Sequence, residues 1–257
     1  MIGLERAYYE VDRQTNLLVA EMVARVGIPT GVDQVAAIAE TLMPQVLELR
    51  RALWADEVRA IRATHPGLDV PDVRFYPQPA LERIIRRAAG MEPDSPLVDV
   101  THLDPVTAKA ATQRLLPMSM PDEPLAADAF KQLLAANLGM HVKQASRDTV
   151  EDAARLNKVR YARVLTGRES CAFCVMLASR GAVYTEQTAT KTYGGNAYHS
   201  HCDCIAVVVP DVNRWDGKEQ ADALYEEWTA SGGTLKKFRK HLRDNDMEFE
   251  NGVPMAA

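Results

Sequence analysis

The sequence specifies an α+β chain that is mostly α-helical, with long N-terminal helices followed by a small helix-plus-short-β-strand domain stapled by a Cys/His cluster. Three observations lead there. Apolar residues recur at steps of three and four from Leu4 to Ile61, ten of the 14 prolines fall between Pro66 and Pro124, and all four cysteines lie between Cys171 and Cys204. The 257 residues are 47% hydrophobic and 25% charged, a composition that excludes disorder as the dominant state. Thirty Lys and Arg against 35 Asp and Glu give a net charge of −5, so any contact with nucleic acid or anionic lipid must be local. No apolar run is long enough to span a membrane and no secretory signal opens the chain, so the expected setting is a cytoplasm with reduced thiols.

Leu4, Tyr8, Val11, Thr15, Leu18, Met22 and Val26 share one helical face, and Val35, Ile38, Leu42, Val46, Leu49, Leu53 and Ile61 continue the spacing after an Ile28–Gly31 loop. Two antiparallel helices follow from this, and Pro44 demands a kink or a break in the second. The proline-rich stretch limits residues 65–124 to short helices such as Leu81–Ala89, and Leu116–Pro124 reads as a linker or arm. Leu125–Ala145 is helical. Asp148 with Glu151 marks a fresh helix start, on which Val150, Ala154, Asn157, Tyr161, Val164 and Leu165 share one face. Arg155, Lys158, Arg160 and Arg163 fall on the other side of that helix, as candidate phosphate contacts or as a solvated face. Gly181–Tyr184 and Ile205–Val209 are the strand candidates, Lys218–Ala230 and Leu235–Leu242 are the last helices, and residues 251–257 are expected to fray.

The chemistry-bearing row is Cys171-Ala-Phe-Cys174 and then His199-Ser-His201-Cys202-Asp203-Cys204. Two thiols spaced by two residues can face one cation from a tight turn, so the best tetrahedral zinc set is Cys171, Cys174 and Cys202 with one of Cys204, His199 or His201. Four protein ligands make such a site structural, coupling metal binding to folding. Disulfides or structural thiols, and a catalytic thiol, remain open readings of the same residues. His65, His102, His141 and His241 are isolated, and no phosphate-binding glycine loop is present.

Tyr161 to Tyr184, followed by His199–Cys204, resembles the phage Mu F-like minor head proteins of tailed bacteriophages, especially those infecting actinobacteria. The resemblance covers about residues 125–210 and rests on Arg163, Thr166, Cys171, Cys174, His199, Cys202 and Cys204, with His201 standing where the family usually has another residue. It implies a virion protein inside the head near the portal, assembled in the bacterial cytoplasm. The implied partners are the portal protein and the major capsid protein or scaffold, with packaged DNA as a further candidate and no membrane. The implied organisation is a helical docking region with a Pro-rich arm (1–120), a Mu F-like domain (121–212), and C-terminal helices and tail (213–257). The roles implied are head morphogenesis, DNA packaging or ejection. Two alternatives remain: a head maturation protease using His199, Cys202 and Asp203, and a zinc-containing nucleic-acid-binding module.

Overall fold

A computed structural model describes residues 2–91, 123–166, 172–184, 204–245, 248–250 and 253–255. Among these, helix predominates: α1 (Ile2–Val26), α2 (Val32–Thr64), α3 (Gln78–Ala88), α4 (Glu123–Leu156), α5 (Ala172–Ala178), α6 (Lys218–Ala230) and α7 (Leu235–Asp244). Strands β1 (Arg160–Val164) and β2 (Ile205–Val209) pair antiparallel, with Arg160 opposite Val209 and Val164 opposite Ile205. Strands β3 (Glu248–Glu250) and β4 (Val253–Met255) form a second antiparallel pair, β4 lying where the sequence predicts fraying. No helix of the described residues is long and apolar enough to cross a membrane.

The chain divides into two compact units, each assembled from separate stretches. The first takes residues 1–8, 51–74 and 143–257; the second takes 9–50 and 75–142.

In the second unit, Val11, Thr15, Val19, Met22 and Val23 of α1 are buried, as are Val35, Ile38, Leu42 and Val46 of α2. The three-and-four spacing therefore gives a core stripe, although Val26 lies exposed beyond its end. Gly27, at φ +69, supplies the left-handed turn that ends α1. Helix α2 runs unbroken through Pro44, contrary to the expected interruption. Pro44 and Glu40 both lie on the exposed face, so the carbonyl that proline cannot bond is turned toward water. Leu81, Ile84, Ile85 and Ala88 give α3 its buried stripe, and Phe130, Leu134, Leu138 and Val142 do the same for α4. Each of these side chains larger than Ala88 stabilises the fold by about 1.5–3 kcal/mol on burial.

In the first unit, the core joins Ile61 of α2, Val150 and Ala154 of α4, Tyr161 of β1, Cys174 to Ala178 of α5, Ala206 and Val208 of β2, Leu224 of α6 and Phe238 of α7. The new helix predicted at Asp148 does not exist. Helix α4 continues to Leu156, Lys158 takes φ 54, and the chain re-emerges as β1. Arg160 and Arg163 are thus strand residues, not members of a basic helix face. The reason is long-range: Tyr161 to Val164 find their backbone partners in β2, 41 or more residues later, which outweighs a local three-residue apolar spacing. The Gly181–Tyr184 candidate reduces to a single bridge between Tyr184 and Tyr161, whereas Ile205–Val209 is a strand as expected.

Candidate functional site

Helix α4 brings an unusual run of polar side chains into the first unit. Lys143, Ser146, Arg147, Asp148, Thr149 and Asp152 are all buried, with Ser146 and Arg147 at 0% exposure. Charges so placed require partners, because desolvation costs several kcal/mol per ion. Two other helices supply a relay for the middle of the run. Tyr8 donates to Ser146 Oγ across 2.9 Å, and Ser146 donates to Glu57 Oε2 across 2.6 Å. Burial raises the Glu57 carboxyl from 4.5 to about 7, despite the opposing Ser146 hydrogen bond. Burial likewise raises the Tyr8 phenol, against the pull of Arg147, whose guanidinium lies 5.6 Å from the Tyr8 ring centroid. Glu57 also lines a cavity of about 450 Å³ with Leu4, Ile61, His65, Val208 and Trp215.

The far end of the run is clamped from the connection after α2. Arg74 donates to both Asp152 oxygens at 2.6 Å and to Asp148 Oδ1 at 3.2 Å. Burial alone would raise Asp152, but the bonds from Arg74 and Arg155 outweigh it and hold the carboxyl below its usual range. Between Asp148 and Asp152 on α4, Glu151 stands at about 7, raised first by burial and then by Asp148, with Tyr161 donating to it at 3.3 Å. Asp148 and Glu151, which locally spell a capping box, are thus spent on long-range contacts with Arg74 and Tyr161.

Of the predicted metal ligands, Cys174 and Cys204 are described. Both are buried in the same core, on α5 and immediately before β2. Two cations converge on Cys204: Arg147 donates to its carbonyl at 3.3 Å and Arg163 Nη1 stands 3.9 Å from its Sγ. Arg163, 1% exposed, also lies 5.7 Å from the Tyr184 ring centroid. A thiolate at Cys204 would find its countercharge in place. Cys171, His199, His201, Cys202 and Asp203 lie outside the described residues. Among the described residues, no three His, Cys, Asp or Glu side chains are grouped to hold a metal ion.

The four proposed phosphate contacts separate. Arg155 pairs with Asp152 at 3.0 Å, Lys158 and Arg160 are exposed, and Arg163 points into the core. Beside β1, Gln220 of α6 extends the ladder, accepting from Leu165 N–H at 2.9 Å and donating to Leu165 O at 3.2 Å. This continuation holds the backbone at Leu165, one residue past the end of β1.

In the second unit, Arg50 donates to the His141 carbonyl and stacks 4.6 Å from the Tyr76 centroid, while Tyr76 Oη lies 3.1 Å from His141 Nδ1. Burial, reinforced by Arg50 and Arg87, lowers His141 from 6.5 to about 4, so its imidazole is neutral at pH 7. His65 borders the first unit's cavity, His241 bonds Glu227 at 2.7 Å, and His102 lies outside the described residues.

Sequence reasoning missed Glu57, Arg74 and Arg147. The available signal was their position: Glu57 falls one helical turn after Leu53, and Arg147 one turn before Val150, on faces that also carry core residues. Comparison with known proteins bears on the same region. Residues 84–231, more than half of the chain, match the VG15 protein family profile. The gene 15 protein of Mycobacterium phage L5 is 29% identical over 140 residues, covering 52% of this chain and 41% of that protein. The gene 15 protein of Mycobacterium phage D29 is 31% identical over 98 residues, covering 28% of this chain and 36% of that protein. The chain therefore spans less than half the length of these curated relatives. No solved structure matches it.

Proposed function

The chain belongs to the VG15 protein family, and from that membership we propose that it is a Mu F-like minor capsid protein of a tailed phage. In this reading it sits at the portal inside the head and acts in head morphogenesis, DNA packaging or ejection. The observation that carries it is the overlap of the family match with the residues that carry the resemblance. The family match over 84–231 encloses both cysteine motifs, together with β1, α5 and β2 around them. The mycobacteriophage origin of the relatives agrees with the actinobacteriophage character of those motifs. The burial of Cys174 and Cys204 in one core supports a structural zinc held by Cys171, Cys174 and Cys202 with one of Cys204, His199 or His201.

Purified particles of the phage that encodes the chain provide the test. The chain is expected in them at low copy number, cross-linked to portal protein by a short amine-reactive reagent, and to carry about one zinc per copy by elemental analysis. Absence of the chain from particles free of cell debris overturns the capsid reading. Presence without zinc overturns the metal alone.

A further inference from the structure

Among the described residues, a dense run of positive charge lies on α7, outside the region read as basic from sequence. Its ten residues hold Lys236, Lys237, Arg239, Lys240 and Arg243 against one acid, Asp244, in a chain of net charge −5. Lys236, Arg239, Lys240 and Arg243 stand at i, i+3, i+4 and i+7, so they form one stripe about 10 Å long. All five Lys and Arg are exposed. Asp244 pairs with Lys240 and lies 3.7 Å from Arg243; no acid pairs with Lys236, Lys237 or Arg239 among the described residues.

The opposite face is already committed. Phe238 is fully buried, edge-on to Trp228 at 5.2 Å, with Leu235 and Leu242 packed against the same core. Thr234 caps the helix by accepting from Lys237 N–H. The helix is therefore a platform held by its apolar face, with the cations of the stripe exposed.

We propose that this stripe binds the phosphate backbone of duplex DNA. Three partner classes separate on the geometry. A helix that enters a lipid interface must offer a free apolar face, and here that face is in the core. A stable protein interface needs an apolar centre, and the exposed face of α7 has none. Single-strand binders stack bases on aromatic side chains, and the aromatic ring of α7 is buried. Duplex phosphate binding needs only positioned cations, and each of the four cations of the stripe can meet one phosphate through its long side chain. The inference does not depend on where the chain sits in a particle.

The test is fluorescence anisotropy of a labelled 20-base-pair duplex of arbitrary sequence, titrated with the full chain at several salt concentrations. Four phosphate contacts give a log–log salt slope of about −3.6, or an affinity loss on the order of 10²-fold across a fourfold rise in salt. Replacing Lys236, Arg239, Lys240 and Arg243 together by Gln is expected to flatten the slope by about 3 or more. Gln at Arg51 and Arg62, exposed on α2, is expected to leave it unchanged. Should the fourfold variant lose helicity, Lys236→Gln with Arg239→Gln, expected to flatten the slope by about 2, takes its place. Undiminished affinity in the stripe variants, an equal loss in the α2 control, or binding of polyglutamate or anionic vesicles without binding of the duplex overturns the proposal.

Discussion

Glu57 makes the stability of the first unit depend on pH in a direction opposite to that of most carboxylates. Its carboxyl, 2% exposed, faces Ser146 and Tyr8, with Asp56 as the neighbouring charge, and burial raises it to about 7. Between pH 4.5 and 7 the folded chain therefore holds a proton that the unfolded chain has released. Stability is complete below about pH 4.5 and is lost as pH rises through 7. Glu57→Gln keeps an oxygen to accept from Ser146 and removes the titration. The variant is expected to match wild type at pH 4.5 and to exceed it at pH 8 by about 3 kcal/mol. Urea unfolding at the two pH values measures this; a constant difference between the proteins refutes it. A remaining slope in the variant belongs to Glu151, which titrates over the same window. The spacing places Glu57 one turn from Leu53 and one from Ile61, on the core face, but it does not say what meets the carboxyl there. Tyr8 and Ser146 approach it from 49 and 89 positions away.

Local periodicity identified the elements whose burial is decided within the element. Helices α6 and α7 begin where spacing and turn residues place them, and β2 matches residue for residue. It failed where distant partners decide. The stretch after Leu156 has helical spacing but strand structure, since β1 exists only through β2, the Tyr184 bridge and the Gln220 clamp at its end. The Cys motifs were recognisable as a group, yet the cations meeting Cys204 were not, because Arg147 comes from α4 and Arg163 from a strand taken for helix. The join between β1 and α6 also depends on one glycine. Gly217 has φ +106, and a Cβ there would lie 2.8 Å from Val164 Cγ2 and 2.9 Å from a Trp215 ring carbon. Gly217→Ala is expected to cost about 2–3 kcal/mol from strain and overlap together. Thermal melts should register it as a lowered midpoint, while an unchanged midpoint would mean that the α6 entry yields without cost.

Proline content marks connections along the chain but says nothing of which segments pack together. The first unit draws residues 1–8 and 51–74, which reach into the start of the proline-rich stretch, together with residues 143–257 beyond its end. A fragment beginning at residue 121 contains the whole cysteine region but lacks Tyr8, Glu57, Ile61, Asp69 and Arg74. It would lose the Ser146 relay, the Asn157 bonds to the Asp69 backbone at 3.0 and 2.8 Å, and the clamp on Asp148 and Asp152. Arg74 is 45% exposed at its side chain, so its ion pairs are discounted for solvent, and their loss costs about 1–2 kcal/mol. An exposed Ile61 site adds about 2 kcal/mol or more, and two stranded hydrogen-bond partners about 1–3 kcal/mol each. Against a total stability of about 5–15 kcal/mol, these losses suffice to prevent independent folding. Fragment 121–257 is therefore expected to show no cooperative melt by circular dichroism. Coexpression with fragment 1–120 should restore one and yield a copurifying complex. A cooperative transition in 121–257 alone, near the midpoint of the full chain, would mean that the cysteine-bearing region carries its own core and that the N-terminal segments serve only to dock.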